Sequence, residues 1–500
     1  SYGCRTPMSH RAALQDFVRT KVKATRVVVV SNRQPYMHTY EGDRIIWRRP
    51  AGGVVVALDP VLRVAKGCWV AAGQTEADRN VTDEDGRVRV PPEDPQYSLR
   101  RVWLAKEQEE GYYYGFSNEV LWPLCHTAFT RPIFRAADWQ HYQGVNRLFA
   151  DAALKEAGPG RALIWTQDYH LALCPQLLKA ARPDLSVAHF WHIPWPNPEV
   201  FRICPWRREL LEGLLGSDLL GFHIRYHCDN FLATVANELE AKIITDQSAV
   251  QYRGRTTLVR PFPISIDYHR IVQDLDSPEV VEETRRIERL LGGRPEFLAV
   301  GVDRIDYTKG IVERLQAIDR FLERYPRYLG RFVYLGVGAP SRIHLPAYRQ
   351  LRGEIAQKVE EINWKYGTET WQPVVLFDQQ VSYPRVLAYL AMADVCLVTA
   401  LHDGMNLVAK EFIATQQGEE PGVLILSRFT GANRELTEAL PINPYDIEGS
   451  AEAIRQGLEM PREERVRRCR WLQEQIRDHD IYRWALEMLT ELRRVRRGRL

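Results

Sequence analysis

Two loops of the sequence carry side chains that suit an anion beside the start of a predicted helix. In the first, VDRIDYTKG (302–310), an apolar strand ends at Val302 and a helix follows Gly310. Backbone N–H groups and the helix dipole favour an anion at such a helix start. Arg304 and Lys309 add charge-assisted hydrogen bonds, which favours a pyrophosphate site. The alternative is that both residues are solvent-exposed surface charges.

The second loop lies in TALHDGMNLVAKE (399–411), where a strand, a turn and a helix start follow one another. Gly404 lets the backbone approach a ligand closely. Asp403 can accept a hydrogen bond from a sugar hydroxyl, and Glu411, about two helical turns on, can hold a ribose diol. The alternative is a helix-capping Asp with a solvated Glu. Backbone N–H groups expected to bind sugar hydroxyls or phosphate oxygens are those of Met405, Asn406 and Leu407.

Polar side chains also follow two strands in the first half of the chain. His192 stands after a strand in HFWHIPWPNPEVF (189–201), before prolines that fix a rigid, extended loop. Asp168 and His170 have the same placement in QDYH (167–170). We expect these side chains to project towards a ligand cleft, and the alternative for His192 is a purely structural role.

The N-terminal part adds Arg33, which follows the first strand, and Gly52-Gly53, just before a helix. This glycine pair is not a GxGxxG dinucleotide fingerprint. His223 and His227 have the i, i+4 spacing of a helical zinc site, but the Glu of an HExxH motif is missing. The sequence also has no GxSxG elbow and no Walker A loop. Neither a metal nor a cofactor is expected.

The elements that position these loops form an α/β pattern. Short apolar runs rich in Val, Ile and Leu alternate with longer amphipathic stretches, as in sheets of buried parallel strands. Helices are predicted over 206–216 and 310–325. The clearest strand candidates are 26–31, 162–167, 187–193, 218–222, 297–303, 331–337, 374–378, 395–400 and 422–427.

The predicted strands fall into two groups, separated near residues 266–280. We therefore expect two doubly wound, Rossmann-like lobes that face each other across a central cleft, with ligands at the carboxyl ends of the strands. The predicted domains are an N-terminal lobe over 1–265, a second lobe over 266–480 and a C-terminal helix over 481–500. That helix can pack against either lobe.

Composition and charge exclude several classes of partner. The chain has 45% apolar and 26% charged residues, with 67 basic and 64 acidic side chains and a net charge of +3. This balance favours neither nucleic acid nor a membrane surface as a partner. No transmembrane run or signal-peptide core is visible. Eight isolated cysteines are typical of a reduced protein, so a cytoplasmic location is expected.

These motifs together resemble one family, the trehalose-6-phosphate synthases, which are retaining glycosyltransferases of family 20 with the two-lobed GT-B fold. The resemblance extends from about residue 25 to about residue 490 and covers motifs in the family's order and spacing. They are SNR, the Gly-Gly pair, YGFSNEVLWP, QDYH, FWHIPWPNPE, DLLGFH, VDRIDYTKG, APSR, HDGMNLVAKEF, FTGANREL and INPYD.

The resemblance implies that the lobe over 1–265 binds the acceptor and the lobe over 266–480 binds the nucleotide-sugar donor. It also implies a role for each matching residue. Arg304 and Lys309 would hold the diphosphate of a nucleotide-glucose donor, either UDP- or GDP-glucose. His192 would contact the donor sugar, and Glu411 would bind the ribose. Other residues implied at the donor sugar are Asp403, Gly404, Met405, Asn406 and Leu407. Residues implied at the glucose 6-phosphate acceptor are Arg33, Tyr113, Trp122, Asp168 and Arg342, and Gly53 would contact the acceptor or the donor.

The resemblance also implies a mechanism and a catalytic set. The anomeric configuration of the donor would be retained in a front-face displacement, with the leaving phosphate helping to take the acceptor proton. The implied catalytic residues are Arg304, Lys309, His192, Asp168 and Asp403.

The departures from the family pattern lie on the acceptor side. Ala72 stands where a second aromatic residue is often found, and the insert HTYEGDRIIWRRP (38–50) is unusual. Glycerol 3-phosphate, the acceptor of the related glucosylglycerol-phosphate synthases, therefore remains an alternative. So does a non-catalytic protein that binds nucleotide sugars. The donor base and assembly into a homo-oligomer are left open.

Overall fold

The chain folds into two compact units, each built on a largely parallel sheet. In the computed structural model, which describes residues 8–49 and 53–497, the first unit comprises Ser1–Ile264 with Asp480–Leu500. The second unit comprises Ser265–His479. The chain thus leaves the first unit once and returns to it near its C-terminus.

The first unit contains a ten-stranded sheet and a separate two-stranded hairpin. Its strands are β1 (Arg26–Val30), β2 (Met37–Glu41), β3 (Arg44–Arg48), β4 (Cys68–Ala72), β5 (Arg87–Val90), β6 (Tyr97–Val102), β7 (Ala162–Gln167), β8 (Ser186–Phe190), β9 (Leu219–Phe222), β10 (Lys242–Ile244), β11 (Ala249–Tyr252) and β12 (Arg255–Pro261).

The order across the large sheet is β10-β11-β12-β9-β8-β7-β1-β4-β6-β5, and β2 pairs with β3 in the hairpin. Antiparallel pairing is confined to β5–β6, β10–β11 and β11–β12 at the two ends of the large sheet. Every residue of β7 and β9 is buried, as expected where helices cover both faces of a parallel sheet.

Helices cover the first sheet, and one of them is a π-helix over Glu110–Leu121. The α-helices of the first part of the chain are α1 (His10–Lys21), α2 (Gly53–Ala65), α3 (Glu76–Val81), α4 (Lys106–Glu109), α5 (Trp122–His126), α6 (Ala136–Ala157), α7 (Cys174–Ala181), α8 (Pro198–Phe201), α9 (Arg207–Leu214) and α10 (Arg225–Glu238).

The second unit has a six-stranded, all-parallel sheet. Its strands are β13 (Phe297–Arg304), β14 (Phe332–Ala339), β15 (Val374–Phe377), β16 (Val395–Val398), β17 (Val423–Ser427) and β18 (Leu440–Ile442). Its helices are α11 (Tyr268–Asp274), α12 (Pro278–Leu290), α13 (Ile311–Arg324), α14 (Pro346–Tyr366), α15 (Tyr383–Met392), α16 (Leu407–Thr415), α17 (Ile447–Glu459) and α18 (Arg462–Asp478).

The final helix, α19 (Ile481–Arg497), packs in the first unit. Trp484 is 2% exposed and stacks on Trp165 of β7, with ring centroids 4.9 Å apart. Its indole N–H donates to the carbonyl of Phe262 at 3.1 Å. The helix therefore completes the core of the first unit.

Both sheets have the strand order of a doubly wound fold. In the second unit the order is β15-β14-β13-β16-β17-β18, so the chain reverses direction across the sheet between β13 and β16. In the first unit the corresponding reversal lies between β1 and β7. Such a topological switch point is where open α/β sheets bind ligands. Ligands are therefore expected at the loops that follow these four strands.

The predicted elements are confirmed, but several regular elements were not predicted, among them the internal strands β4 and β6 and the long helix α6. All nine predicted strands are present, as are the helices predicted over 206–216, 310–325 and 481–500, with ends shifted by a few residues in the part of the chain that the structure describes. The insert over 38–50 contributes to the hairpin β2–β3, which had not been predicted. The antiparallel edge strands and the π-helix were also missed.

Candidate active site

In the second unit, the first predicted loop leads from β13 into α13. Arg304 is the last residue of β13, and Lys309 lies just before the helix. Gly310 forms the N-cap with φ +62°, and a Cβ there would overlap the carbonyl oxygen of Thr399. Glycine is therefore needed twice, for its backbone angle and for the close approach of the neighbouring loop.

The second predicted loop leads from β16 into α16 and lies beside the first. The N–H of Leu401 donates to the carbonyl of Thr308 at 2.7 Å. Asn406 caps α16 and its side chain accepts from the N–H of Ala409 at 3.1 Å. Gly404 and Met405 are buried just before this cap. The cap thus satisfies the N–H of Ala409, one of the N–H groups of the first turn that have no acceptor within the helix itself.

The side chains of the two loops meet in an ion pair. Lys309 Nζ donates to Asp403 Oδ2 at 2.8 Å, and both side chains are mostly buried. The amide of Asn406 also donates to Asp403 Oδ2, at 3.3 Å. Asp403 is further held by its backbone N–H, which donates to the carbonyl of Phe429. Lys309, predicted to bind a pyrophosphate, and Asp403, predicted to bind a sugar hydroxyl, are thus in direct contact.

Glu411 is a buried carboxyl group on α16, 8% exposed. Because the helix begins at Leu407, Glu411 lies one turn inside it rather than the expected two turns beyond the loop. Burial raises the pKa of Glu411 to about 7, although a hydrogen bond from Tyr383 opposes this shift. The carboxyl group can therefore change its charge near neutral pH.

Two predicted arginines flank a carboxylate that the sequence interpretation overlooked. Arg342 Nη1 lies 3.2 Å from Asp306 Oδ2, and it also donates to the hydroxyl of Tyr348 at 2.6 Å. Burial opposes ionisation of Asp306, but the charges of Arg342 and Arg304 outweigh it and lower its pKa to about 2. An acidic residue between two cations in VDRIDYTKG was the signal that could have revealed it. Arg342 lies in the second unit, unlike the other predicted acceptor residues.

In the first unit, Arg33 and Tyr113 are brought together from distant segments. Arg33 Nη2 lies 3.4 Å from the hydroxyl of Tyr113. The ring of Tyr113 stacks on His170, with centroids 5.8 Å apart. Tyr113 is carried by the π-helix, a rare conformation that often occurs at functional sites. The hydroxyl of the neighbouring Tyr112 donates to Asn32 at 2.8 Å, which ties this helix to the loop after β1.

Asp168 and His192 also meet, at the ends of β7 and β8. Asp168 Oδ1 accepts from the backbone N–H of His192 at 3.1 Å and from that of Tyr169 at 2.9 Å. His192 Nε2 lies 2.6 Å from the side-chain oxygen of Gln167. Burial lowers the pKa of His192 well below 6.5. The imidazole is therefore neutral at physiological pH and donates to Gln167 through Nε2.

Two other predicted residues of the first unit have different surroundings. Trp122 is 4% exposed and packs on Tyr169, with ring centroids 5.7 Å apart. Gly53 is exposed and is the first residue of α2. Gly52 lies outside the described residues.

Three predicted site residues have left-handed backbone angles. The φ values are +76° for Asp168, +49° for Arg342 and +91° for Asn406. Such angles are unfavourable for residues other than glycine and cluster at functional sites. The fold therefore holds all three positions against a local preference.

The histidines with zinc-like spacing have other partners. His223 Nδ1 accepts from the N–H of Ile264 and His227 Nδ1 from that of Trp195, both at 3.3 Å. Over residues 8–49 and 53–497, no three His, Cys, Asp or Glu side chains form a group suited to a metal ion. Seven cysteines are buried and have free thiols, and Cys4 lies outside the described residues.

In the described part of the chain, no helix combines the length and the apolar character needed to cross a membrane.

Two Rossmann-like units with polar loops at their switch points are typical of one class, the GT-B glycosyltransferases. The chain belongs to glycosyltransferase family 20, whose model matches residues 25–494. It is 40% identical over 475 residues to the trehalose-6-phosphate synthase of Mycobacterium marinum, covering 93% of each chain. It is 38% identical over 478 residues to the bifunctional trehalose-6-phosphate synthase/phosphatase of Thermoproteus tenax. The chain spans 63% of that relative's length, and the match covers 93% of this chain.

Solved structures show the same likeness. An E. coli structure bound with UDP-2-fluoro glucose is 32% identical, with a TM-score of 0.83 and coverage of 94% of this chain and 99% of the other. An α,α-trehalose-phosphate synthase (UDP-forming) from Burkholderia xenovorans, in complex with glucose-6-phosphate, is 31% identical with a TM-score of 0.84. The alignment covers 93% of this chain and 99% of that one.

Proposed function

We propose that this glycosyltransferase moves glucose from a nucleotide-glucose donor to glucose 6-phosphate. The products are α,α-trehalose 6-phosphate and a nucleoside diphosphate. The names of the similar proteins support this proposal, as do the ligands of the two similar structures. We further propose that the donor binds mainly to the second unit and the acceptor mainly to the first.

The observation that carries the proposal is the contact between Lys309 and Asp403 at the switch point of the second unit. A diphosphate in this position would meet Lys309, Arg304 and the start of α13, where cations and the helix dipole act together. The sugar would meet Asp403 and the N–H groups at the start of α16. Donor binding would then exchange part of the internal ion pair for contacts with the ligand.

The acceptor proposal is supported by the contact between Arg33 and Tyr113. A guanidinium group and a phenol hydroxyl suit a sugar phosphate. Arg342 of the second unit is also kept as a proposed acceptor residue, and its charge is balanced by Asp306. Trp122 and Gly53 are retained as proposed members of the site.

In the proposed reaction, Arg304 and Lys309 stabilise the charge that develops on the departing diphosphate. Asp168 accepts a hydrogen bond from an acceptor hydroxyl, and the neutral His192 meets the donor sugar. The configuration at the anomeric carbon is retained by front-face displacement. Front-face displacement needs no nucleophilic carboxylate of the protein, and because the leaving phosphate takes the acceptor proton, no protein base is required either.

The test is a matrix of UDP-, GDP- and ADP-glucose against glucose 6-phosphate and glycerol 3-phosphate. We expect turnover with glucose 6-phosphate and one of the three donors, with trehalose 6-phosphate identified by NMR. Lys309→Ala should lower kcat by roughly 100-fold or more, because it removes a group that stabilises charge in the transition state.

Each other outcome contradicts a specific part of the proposal. Turnover with glycerol 3-phosphate alone would identify a glucosylglycerol-phosphate synthase. No turnover with any pair, while a nucleoside diphosphate still binds, would favour a binding protein. Unchanged kcat in Lys309→Ala would remove that residue from the mechanism.

A further inference from the structure

A buried arginine, Arg314, lies beneath the two loops of the second unit. It belongs to the first turn of α13 and is 2% exposed. Its Nη2 lies 2.6 Å from Oδ2 of Asp303, the residue before Arg304 on β13. Burial lowers the pKa of Arg314, but the attraction of Asp303 outweighs burial and the net shift is upward. The guanidinium is therefore charged and has a fixed partner directly behind the first loop.

The same guanidinium group reaches the second loop through Thr399. Arg314 Nε donates to Thr399 Oγ1 at 3.0 Å, and Thr399 directly follows β16. Thr399 Oγ1 in turn lies 3.0 Å from the carbonyl oxygen of Gly310 and 3.3 Å from that of Lys309. Arg314 and Thr399 thus connect the end of β13, the start of α13 and the end of β16.

The sheet is shaped to accept this group. Arg314 Nη1 donates to the hydroxyl of Tyr334 on β14 at 3.0 Å. A Cβ at Gly301 of β13 would lie 2.5 Å from that nitrogen and 2.6 Å from the same hydroxyl. Only glycine at this position leaves room for the guanidinium group and the Tyr334 hydroxyl. Asp303, Thr399 and Tyr334, the partners of Arg314, are not proposed ligand-binding residues, so the effect of this arginine on a ligand must be indirect.

We propose that Arg314 is a positioning residue for the donor site, acting through Thr399. It fixes the loop of Lys309 against the loop of Asp403, and so sets the geometry in which their side chains meet the donor. This inference rests on the function proposed above, because it takes Lys309 and Asp403 as donor-binding residues. The competing explanation is that Arg314 only stabilises the core. In that case it could be replaced without loss of function, as some buried ion pairs can be.

The chain offers a matched pair of variants that separates these explanations. Thr399→Val and Tyr334→Phe each remove one hydroxyl partner of Arg314 from a buried site. Only Thr399 contacts the loop of Lys309, whereas Tyr334 lies within β14. We expect Thr399→Val to lower kcat/KM for the donor by about 10–100-fold, because small displacements of reacting groups are costly. Tyr334→Phe should stay within about threefold of wild type, and the KM for the acceptor should be unchanged in both.

Arg314→Lys and Arg314→Met extend the test, since lysine keeps the charge but cannot form the forked contacts. Thermal melts establish that each variant is folded, and calorimetry measures the Kd for UDP and GDP. Weaker nucleotide binding in Thr399→Val but not in Tyr334→Phe supports the inference, even if wild type transfers no glucose to the tested acceptors. Equal effects of the two hydroxyl variants overturn it while leaving a functioning wild-type transferase in place. Absence of both turnover and nucleotide binding in folded wild type overturns both proposals.

Discussion

At the residue scale, the chemistry of the second unit depends on charges that are partly buried and already paired. Lys309 and Asp403 are 94 residues apart in the chain and only 2.8 Å apart in space. Asp306 holds Arg342 in the same way. Groups that are pre-oriented by such contacts lose less freedom when a ligand arrives. The energetic cost is the burial of several charges, which their partners offset.

Glu411 should make donor binding depend on pH. With a pKa of about 7, the carboxyl group is mostly ionised at pH 8 and mostly protonated at pH 6. An ionised carboxylate accepts hydrogen bonds from a ribose diol better than a neutral one. We therefore expect the Kd for UDP or GDP to rise by about tenfold between pH 8 and pH 6, in proportion to the ionised fraction. Isothermal titration calorimetry at several pH values measures this.

Glu411→Gln is the control, because it keeps the shape and removes the titration. The ligand's own phosphate titrates equally with both proteins, so only the difference between them reports on Glu411. A raised folded-state pKa also means that stability falls as pH rises from about 4.5 to 7, by on the order of 3 kcal/mol. Thermal melts without ligand should thus favour Glu411→Gln over wild type more strongly at pH 8 than at pH 5. Parallel pH profiles for the two proteins would contradict the assignment.

At the element scale, two strand–loop–helix segments are packed so closely that their backbones touch. Gly310 caps α13 against the carbonyl of Thr399, which follows β16. The rigid placement of one loop is therefore a condition for the placement of the other. In the first unit, the π-helix over Glu110–Leu121 has a similar role, since it carries Tyr113 to Arg33.

Gly310→Ala should damage both the loop contact and the donor site. An alanine with a left-handed backbone costs about 1–2 kcal/mol of stability. Its Cβ would also overlap the carbonyl of Thr399. We expect a lower melting temperature and a loss of nucleotide affinity of at least tenfold. Gly330→Ala is the matched control, because Gly330 has φ +79° in the same unit and open space around its Cβ position.

The two glycine variants separate strain from the clash. Gly330→Ala carries only the backbone penalty and should bind UDP or GDP like wild type. If Gly310→Ala also kept wild-type affinity, then the contact between the loops would not matter for the ligand.

At the scale of the whole molecule, the first unit is assembled from two separate parts of the chain. Residues Asp480–Leu500 return to it after the second unit is complete. Trp484 of α19 stacks on Trp165 and contacts Phe190. The stability of the first unit therefore depends on a segment that is more than 200 residues away in sequence from the rest of that unit.

Trp484→Ala should destabilise the first unit by about 3–5 kcal/mol, the usual cost of removing a large aromatic side chain from a core. Denaturant unfolding followed by circular dichroism measures this change. Trp364→Ala is the control, because Trp364 on α14 is 90% exposed. Its effect should stay within about 0.5 kcal/mol. A small effect of Trp484→Ala would show that α19 contributes little to the unit.

The sequence by itself determined the α/β class, the principal strands and the loops that carry Arg304, Lys309, Asp403 and His192. These features are local, because apolar runs, glycine turns and helix starts can be recognised within a dozen residues. The motif order also identified the family, which the comparisons confirmed. The roles of the individual site residues and the division into acceptor and donor lobes stay predictions.

Only the tertiary structure decided which side chains meet. The contacts of Lys309 with Asp403, of Arg342 with Asp306 and of Arg314 with Thr399 depend on strand order and on the packing of separate loops. No local periodicity encodes these relations, since they arise when β13 becomes the neighbour of β14 and of β16 in the sheet. The π-helix was missed for a related reason, because neither the strand period nor the α-helical period describes it.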